Sequence, residues 1–393
     1  MAGRFGVLVG LFLAVPALLG SALIQALDGA TSAPVVAEIA VEQDDPSSRR
    51  RRAGPSPRIR TVPPTELRED ELVAWRQLLD DDPGLASPFL TPAWAATVAA
   101  VRPSVRVAVV EQGTPSFLAY ELRGRVAARP VGWPMNAMQA VVTGDLAAIG
   151  PFHRVTAGAK VHLLAFDHLR EEQAGLLTEI TGRDATPEID LSAGYEAYLE
   201  GLRGRSKLVA QLGRLARKVE RELGEVRFVA DERDHRLLDT LVEWKRDQFV
   251  RTGAADLLAP PANTALLHRV LDLRDPDCCG NLSVLYAGDR PIAMHLGLRT
   301  PREFAHWFQG YDRELAQYSP GNLHVLRLVE ALAASGAQRL DFGKGGAEYK
   351  ERFKTGDRHV LTGRVTHPVL ANGIRGALSA RSTLKRLPRL GRA

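Results

Sequence analysis

The chain has 393 residues, 45% of them apolar, which is enough for two domains with a core each. A formal net charge of +5 leans toward anionic partners without naming one. The two cysteines, Cys278 and Cys279, are adjacent; this excludes a disulfide framework and suggests a reducing compartment. No CxxC or HExxH spacing occurs, so no metal site is expected.

Taken in chain order, the first feature is the uncharged stretch Phe5 to Leu27, long enough to span a bilayer. Arg4 precedes it, and the small residues Thr31, Ser32 and Ala33 follow. It fits a signal peptide, an uncleaved anchor, or a mis-assigned start in which residues 1–55 carry no function. The run Arg49 to Arg52 would keep the body of an anchored chain in the cytoplasm. The expected localisation is therefore cytoplasmic, with membrane association through this segment under the anchor reading. Residues 34–66 mix acidic residues, the arginine run and then prolines at 55, 57, 63 and 64, and read as a linker. Folded structure is expected from near Arg60, which sets off residues 1–59.

A first domain is expected over residues 60–190. Thr65 to Asp80 has Leu67, Leu72, Trp75 and Leu78 at helical spacing. In SPFLTPAW, Thr91 is a cap and Pro92 sits in a first helical turn. VRVAVVEQG and SFLAYELRG predict a strand pair around Gly-Thr-Pro. Apolar runs follow at Met138 to Val142 and Val161 to Phe166, and Leu169 to Thr181 is predicted as a helix.

A second domain is expected over residues 191–365. Tyr195 to Leu202 predicts a short helix. Ser206 to Leu223 predicts a long amphipathic one, with Leu208, Leu212, Leu215, Val219 and Leu223 on one side and a basic opposite face. That face is either simply solvated or a surface for an anionic ligand or nucleic acid. Then come a strand (226–230), helices His235 to Arg251 and Ala262 to Leu273, and a hairpin in NLSVLYAGDRPIAMHLGLR. A strand (303–312), a helix opened by Ser319-Pro320-Gly321, a strand in QRLDFG and a helix in GAEYKERF complete the domain. The two halves share a faint repeat: in each, a helix opening Leu-x-Pro precedes a hairpin ending in Leu-Arg. The free N–H groups at the start of the helix after Pro320 make a candidate phosphate site.

These stretches resemble the GNAT acetyltransferase superfamily, and in wording its Fem-like, cellulose-biosynthesis-associated (CelD-type) branch. The resemblance rests on FLTPAW, YLEGLRGRSKLVAQLGRLARKVE, YAGDRPIAMHLGLR and WFQGYDRELAQYSPGNLHVLRLVEALAASGAQRLDFGKGGAEYKERF. It covers roughly Ser87 to Gly363. It implies an α/β (α+β) fold of two tandem GNAT-like domains, each a mixed, mostly antiparallel central sheet flanked by helices. It also implies an acyltransferase that moves an acyl group from acetyl-CoA or another acyl-CoA to a small-molecule or glycan acceptor. The sugars and polysaccharide precursors of the cell envelope are the expected class. Fem-type aminoacyltransferases use aminoacyl-tRNA instead, and a non-catalytic degenerate GNAT protein is the remaining alternative. In place of the usual loop with two glycines, the chain has Gln317-Tyr318-Ser319-Pro320-Gly321-Asn322.

On this basis Tyr318, Ser319, Pro320, Gly321 and Asn322 are the expected donor-binding residues. His306, Gln309 and Tyr349 are the catalytic candidates, with His295 a weaker one. Tyr349 falls where GNAT enzymes often keep an acid for the leaving thiolate. His306 and Gln309 lie three apart and would face opposite sides of a regular strand. Tyr311, Asp341, Lys344 and Lys350 are expected at the acceptor, in a cleft built from both domains. The basic tail, residues 366–393, is either a contact with an anionic membrane surface or a frayed end. Oligomeric state is not legible.

Overall fold

The structure is a computed structural model, and it describes residues 58–368 apart from Gln112. The apolar N-terminal segment, the arginine run and the basic tail beyond residue 368 lie outside the described residues. Among the described residues no helix is long and apolar enough to cross a membrane.

Among the described residues, thirteen strands form one continuous sheet. The first half supplies β1 (Arg58–Val62), β2 (Val105–Glu111), β3 (Ser116–Arg123), β4 (Ala127–Pro130), β5 (Leu163–Arg170) and β6 (Glu179–Asp190). The second supplies β7 (Val226–Glu232), β8 (Arg274–Asp275), β9 (Cys278–Ala287), β10 (Arg290–Arg299), β11 (Glu303–Tyr311), β12 (Arg339–Asp341) and β13 (Gly356–Thr366). The helices are α1 (Glu69–Asp81), α2 (Pro92–Ala99), α3 (Phe152–Gly158), α4 (Gly194–Arg205), α5 (Leu208–Leu223), α6 (His235–Thr252), α7 (Pro261–Asp272), α8 (Pro320–Ala334) and α9 (Glu348–Phe353).

The strand order is β1-β2-β3-β4-β5-β13-β6-β12-β11-β10-β9-β7, with β8 paired to β9 alone. Read inward from either edge, the pairings run antiparallel three times, then parallel, then antiparallel. The last strands of the two halves change places. β6 follows β5 in sequence but pairs with β12, and β13 follows β12 but pairs with β5. The two exchanged strands pair with each other at the centre. This palindrome is the structural form of the faint sequence repeat: α2 before the β2–β3 hairpin corresponds to α7 before the β9–β10 hairpin.

Local chemistry explains most elements. Thr91 accepts the Trp94 N–H at 3.1 Å and starts α2, with Pro92 at its first position. Glu71 reaches back to the Arg68 N–H at 2.9 Å at the start of α1, while Trp75, Leu78 and Leu79 are buried. In β9, Leu282 and Val284 face a core shared with α1, α2, α6 and α7, and Leu285 and Ala287 face a second core under α4, α5 and α8. The first of these cores is continuous across both halves.

One predicted element is corrected. Leu169 to Thr181 is not a helix: β5 runs to Arg170, a 3-10 turn covers Glu171–Leu176, and Glu179 opens β6. The β-branched residues Ile180, Thr181 and Thr186 suit a strand, and β13 supplies its partner from far along the chain. β13 itself has no counterpart among the predicted elements.

Candidate functional site

The two parallel pairs, β4–β5 and β11–β12, are equivalent positions, and each could splay open. In the first half the gap is filled by the chain itself. Residues 138–142 bridge to β3 through Phe117 and Val142 and to β5 through Gln139 and Leu169. Gln173 clamps Val141 by accepting its N–H and donating to its carbonyl, both at 2.8 Å. The apolar run at Met138 to Val142 is therefore a plug.

In the second half the gap is open. β12 pairs with β11 only from Glu303 to Ala305, and β11 continues to Tyr311 with no strand on that flank. A cleft of about 500 Å³ occupies the space. Its wall includes Trp307, Gln309 and Tyr311 from β11, Ser319 to Asn322 at the start of α8, Tyr349 and Lys350 of α9, and Lys245 and Gln248 of α6. Because α8 and α6 lie on opposite faces of the sheet, the cleft passes through it.

β11 is not regular. Leu296 pairs with Phe308 but Leu298 with Ala305, so β11 spends three residues where β10 spends two. The extra residue falls at His306-Trp307, and the Trp307 N–H donates to His295 Nε2 at 2.9 Å. The bulge overturns the expectation that His306 and Gln309 face opposite sides. His306 packs on Phe342 and near Tyr349, with ring centroids 5.1 and 6.1 Å away. Gln309 donates to the Gly321 carbonyl at 2.8 Å on the same face. Trp307 turns the other way, onto Phe89 and Trp94.

The start of α8 is uncapped by any side chain. Pro320 has no N–H, and the Asn322 and Leu323 amides both donate to the Ser319 carbonyl. The Gly321 N–H has no partner among the described residues. One main-chain donor, plus the positive end of a fifteen-residue helix, thus faces the cleft. Ser319 holds a left-handed φ of 51°, which turns the chain from the preceding 3-10 segment into α8. Gly321 is not required by φ, and a Cβ there would meet Tyr311 and Gln309 at ordinary contact distance.

Three histidines lie beside the cleft, all buried: His295, His306 and His324 of α8. The His295 and His306 rings are 4.0 Å apart, and His295 and His324 are 6.1 Å apart. Burial, followed by the neighbouring positive groups, holds His295 and His306 well below the ordinary imidazole range. Burial brings His324 down to about 4, and its Nε2 lies 3.1 Å from Ser283 Oγ. His306 Nε2 is buried with no hydrogen-bond partner. It is a neutral base with a free lone pair or N–H, depending on tautomer. The sequence reading missed His324 entirely; its position on the buried face of α8 was the available signal.

Tyr349 lines the cleft, and its hydroxyl has no protein hydrogen bond among the described residues. Burial raises its pKa, so it stays protonated. Tyr311 is 41% exposed at the cleft. Three expected site residues lie elsewhere. Tyr318 is buried, and its hydroxyl donates to Glu222 of α5 at 2.8 Å. Asp341 pairs with Arg358 at 2.9 Å and accepts the Gly343 N–H at 2.8 Å. Arg358 also grips the buried Glu303 and the half-buried Glu188, so this is an ion network that holds the end of β12. Lys344 donates to the Asp167 carbonyl at 3.0 Å, towards the first half. The cleft is lined by the second half alone; the first half supports it from behind, where the Trp307 indole N–H donates to the Met135 carbonyl. Cys278 opens β9 fully buried, its thiol pushed up to about 12 by burial, away from the cleft.

A long bulged strand, a parallel partner that stops short, and a helix start facing the gap together make this cleft the candidate site. The comparisons place it more closely. Residues 206–351 match the model of the acetyltransferase (GNAT) domain, a span that holds every residue of the cleft wall. Residues 206–351 are thus similar to GNAT-type acetyltransferase domains, and the palindrome repeats the strand order of that half in the first. Its fold is similar to that of FemX, at 10% identity and a TM-score of 0.50, over 72% of this chain and 93% of that one. It is also similar to the C-terminal (DUF2156) domain of a lysylphosphatidylglycerol synthetase from Agrobacterium fabrum, at 13% identity and a TM-score of 0.49, over 80% of this chain and 96% of that one. A tandem GNAT protein from the clavulanic acid biosynthesis pathway matches at 13% identity and a TM-score of 0.43, over 78% of this chain and 98% of that one. No curated protein matches the sequence.

Proposed function

We propose that the protein transfers an acyl group from acetyl-CoA or another acyl-CoA directly to an amine or hydroxyl. The acceptor is a sugar, polysaccharide precursor or other envelope metabolite. The observation that carries this reading is the open flank of β11 beside the uncapped start of α8. A thioester supplies an already activated carbonyl. The Gly321 N–H and the helix dipole suit a phosphate group of the donor, with Ser319, Pro320 and Asn322 shaping its seat. One free amide is fewer than a glycine-rich loop would give, so the fit is to a single phosphate.

The acceptor's N or O forms a bond to the acyl carbon, and the C–S bond breaks. His306 takes the acceptor's proton, and the Tyr349 hydroxyl supplies a proton to the departing thiolate. Gln309 sets the spacing between β11 and α8 through the Gly321 carbonyl. Both protonation states suit neutral pH: burial keeps His306 unprotonated and Tyr349 protonated.

The test is calorimetric titration with acetyl-CoA, followed by chromatographic detection of free CoA with a panel of amino sugars. Binding, and acceptor-dependent CoA release that drops at least about a hundredfold in His306→Gln, support the reading. A second reading, an aminoacyl-tRNA donor, is kept alive by the exposed Lys207, Arg214, Arg217 and Arg221 on α5. tRNA binding with a steep salt dependence, without CoA binding, would favour it.

A further inference from the structure

The cleft wall holds two lysines and no carboxylate. Lys245 of α6 is half-buried, and its Nζ donates only to Gln248 Oε1, at 2.9 Å. Lys350 of α9 is buried, and its Nζ donates to the Gly343 and Lys344 carbonyls at 2.9 and 3.0 Å. Neither makes an ion pair among the described residues. The carboxylate that acts on Lys350 is Asp341, and it is already bound to Arg358. Cations left without a counter-charge in a concave, partly dry site are costly, and they attract oxyanions strongly for the same reason.

The two lysines share the cleft with the seat at α8. Gln309 and Tyr311, further along β11, face Gly321. The charges of Lys350 and Lys245 act on His306, at the bulge just beyond the residues that pair β11 with β12. They also act on each other: burial first, and then the charge of Lys350, bring Lys245 down to about 8. The α6 side of the sheet is the side opposite α8, so Lys245 meets whatever enters the cleft from the far face.

We infer that Lys245 and Lys350 form an oxyanion pocket for the acceptor, so that the acceptor carries a phosphate or carboxylate close to the group that receives the acyl chain. This rests on the transferase reading for the word acceptor; the anion pocket itself does not. Lys245 supplies the adjustable contact, since among the described residues its Nζ is held only by the exposed Gln248 and the face of the Phe249 ring. Lys350 supplies a fixed positive charge, positioned by the two carbonyls at the turn before α9.

Inorganic phosphate is the probe, titrated calorimetrically into the full chain at near-physiological salt, alone and with saturating CoA. One phosphate is expected to bind in both conditions. Lys245→Met is expected to weaken it about tenfold, as for loss of a charge-assisted hydrogen bond, and Lys245→Arg to restore most of it. Lys350→Arg, paired with a melting curve, covers the case in which Lys350→Met fails to fold. The inference is overturned if phosphate does not saturate, if Lys245→Met leaves its affinity unchanged, or if CoA displaces it, which would give the lysines to the donor. If CoA does not bind while phosphate behaves as expected, the transferase reading falls and the oxyanion pocket stands.

Discussion

Acid should unfold this protein through the histidines beside its cleft, and His324 gives the effect a size. An ordinary imidazole titrates near 6.5, whereas burial brings His324 to about 4. Below about pH 6.5 the unfolded chain binds a proton there that the native chain refuses. Stability from this site is complete above that pH and is lost as pH falls towards 4. Between about pH 7 and pH 5 the loss is about 2 kcal/mol for His324 alone. His295 and His306 are also held well below the ordinary range, so acid weakens the native state at those sites in the same direction. Urea unfolding of the wild type and of His324→Leu, each at both pH values, isolates the term. Titrating groups outside the histidine cluster cancel between the two proteins, and the lost Ser283 contact shifts both pH values alike. The wild type should lose about 2 kcal/mol more than the variant on acidification. Parallel losses would mean that His324 is protonated or solvated in the native state, and the argument for a neutral His306 beside it would weaken with it.

Other outcomes follow from the same geometry. Arg358→Met strips the buried Glu303 and Asp341 of their main counter-charge and should cost about 3–5 kcal/mol in denaturant unfolding; adding Asp341→Asn and Glu303→Gln should recover much of it. Tyr318→Phe should leave CoA affinity unchanged in calorimetry, since that hydroxyl is spent on Glu222; a large loss would return Tyr318 to the donor site. Gln309→Ala removes one neutral hydrogen bond, worth about 1 kcal/mol, and should raise the KM for donor at least about fivefold while lowering the melting temperature by no more than about 4 °C. A Cβ on Gly280 would collide with the Val270 carbonyl, so Gly280→Ala should abolish soluble expression or reduce the melting temperature sharply.

The sequence was most legible where the determinants are local. Alternating residues in β9 and β10, and the Ser-Pro-Gly start of α8, announce their structure within a dozen positions. β6 was misread because Glu171 to Leu177 has helical propensity, while the partner that makes residues 179–190 a strand is β13, far along the chain. The shared face of His306 and Gln309 was hidden for a similar reason. It depends on a bulge, and the bulge on His295 accepting the Trp307 amide from the neighbouring strand. Asp341 and Lys344 were placed at the cleft because they stand at the end of the last core strand, yet Arg358 and Asp167 draw them elsewhere. Lys245 was invisible as a site residue, since a lysine on a charged helix carries no local mark.

The central claim, that the opening of α8 seats the acyl donor, is tested most directly by CoA titration of Asn322→Asp. A carboxylate in the first turn favours the helix itself, by roughly 0.3–1 kcal/mol, so the variant should fold at least as well as the wild type. Facing the cleft beside the Gly321 N–H, it should repel a phosphate and weaken CoA binding at least about tenfold. Equal affinity in the two proteins would contradict a donor seated there.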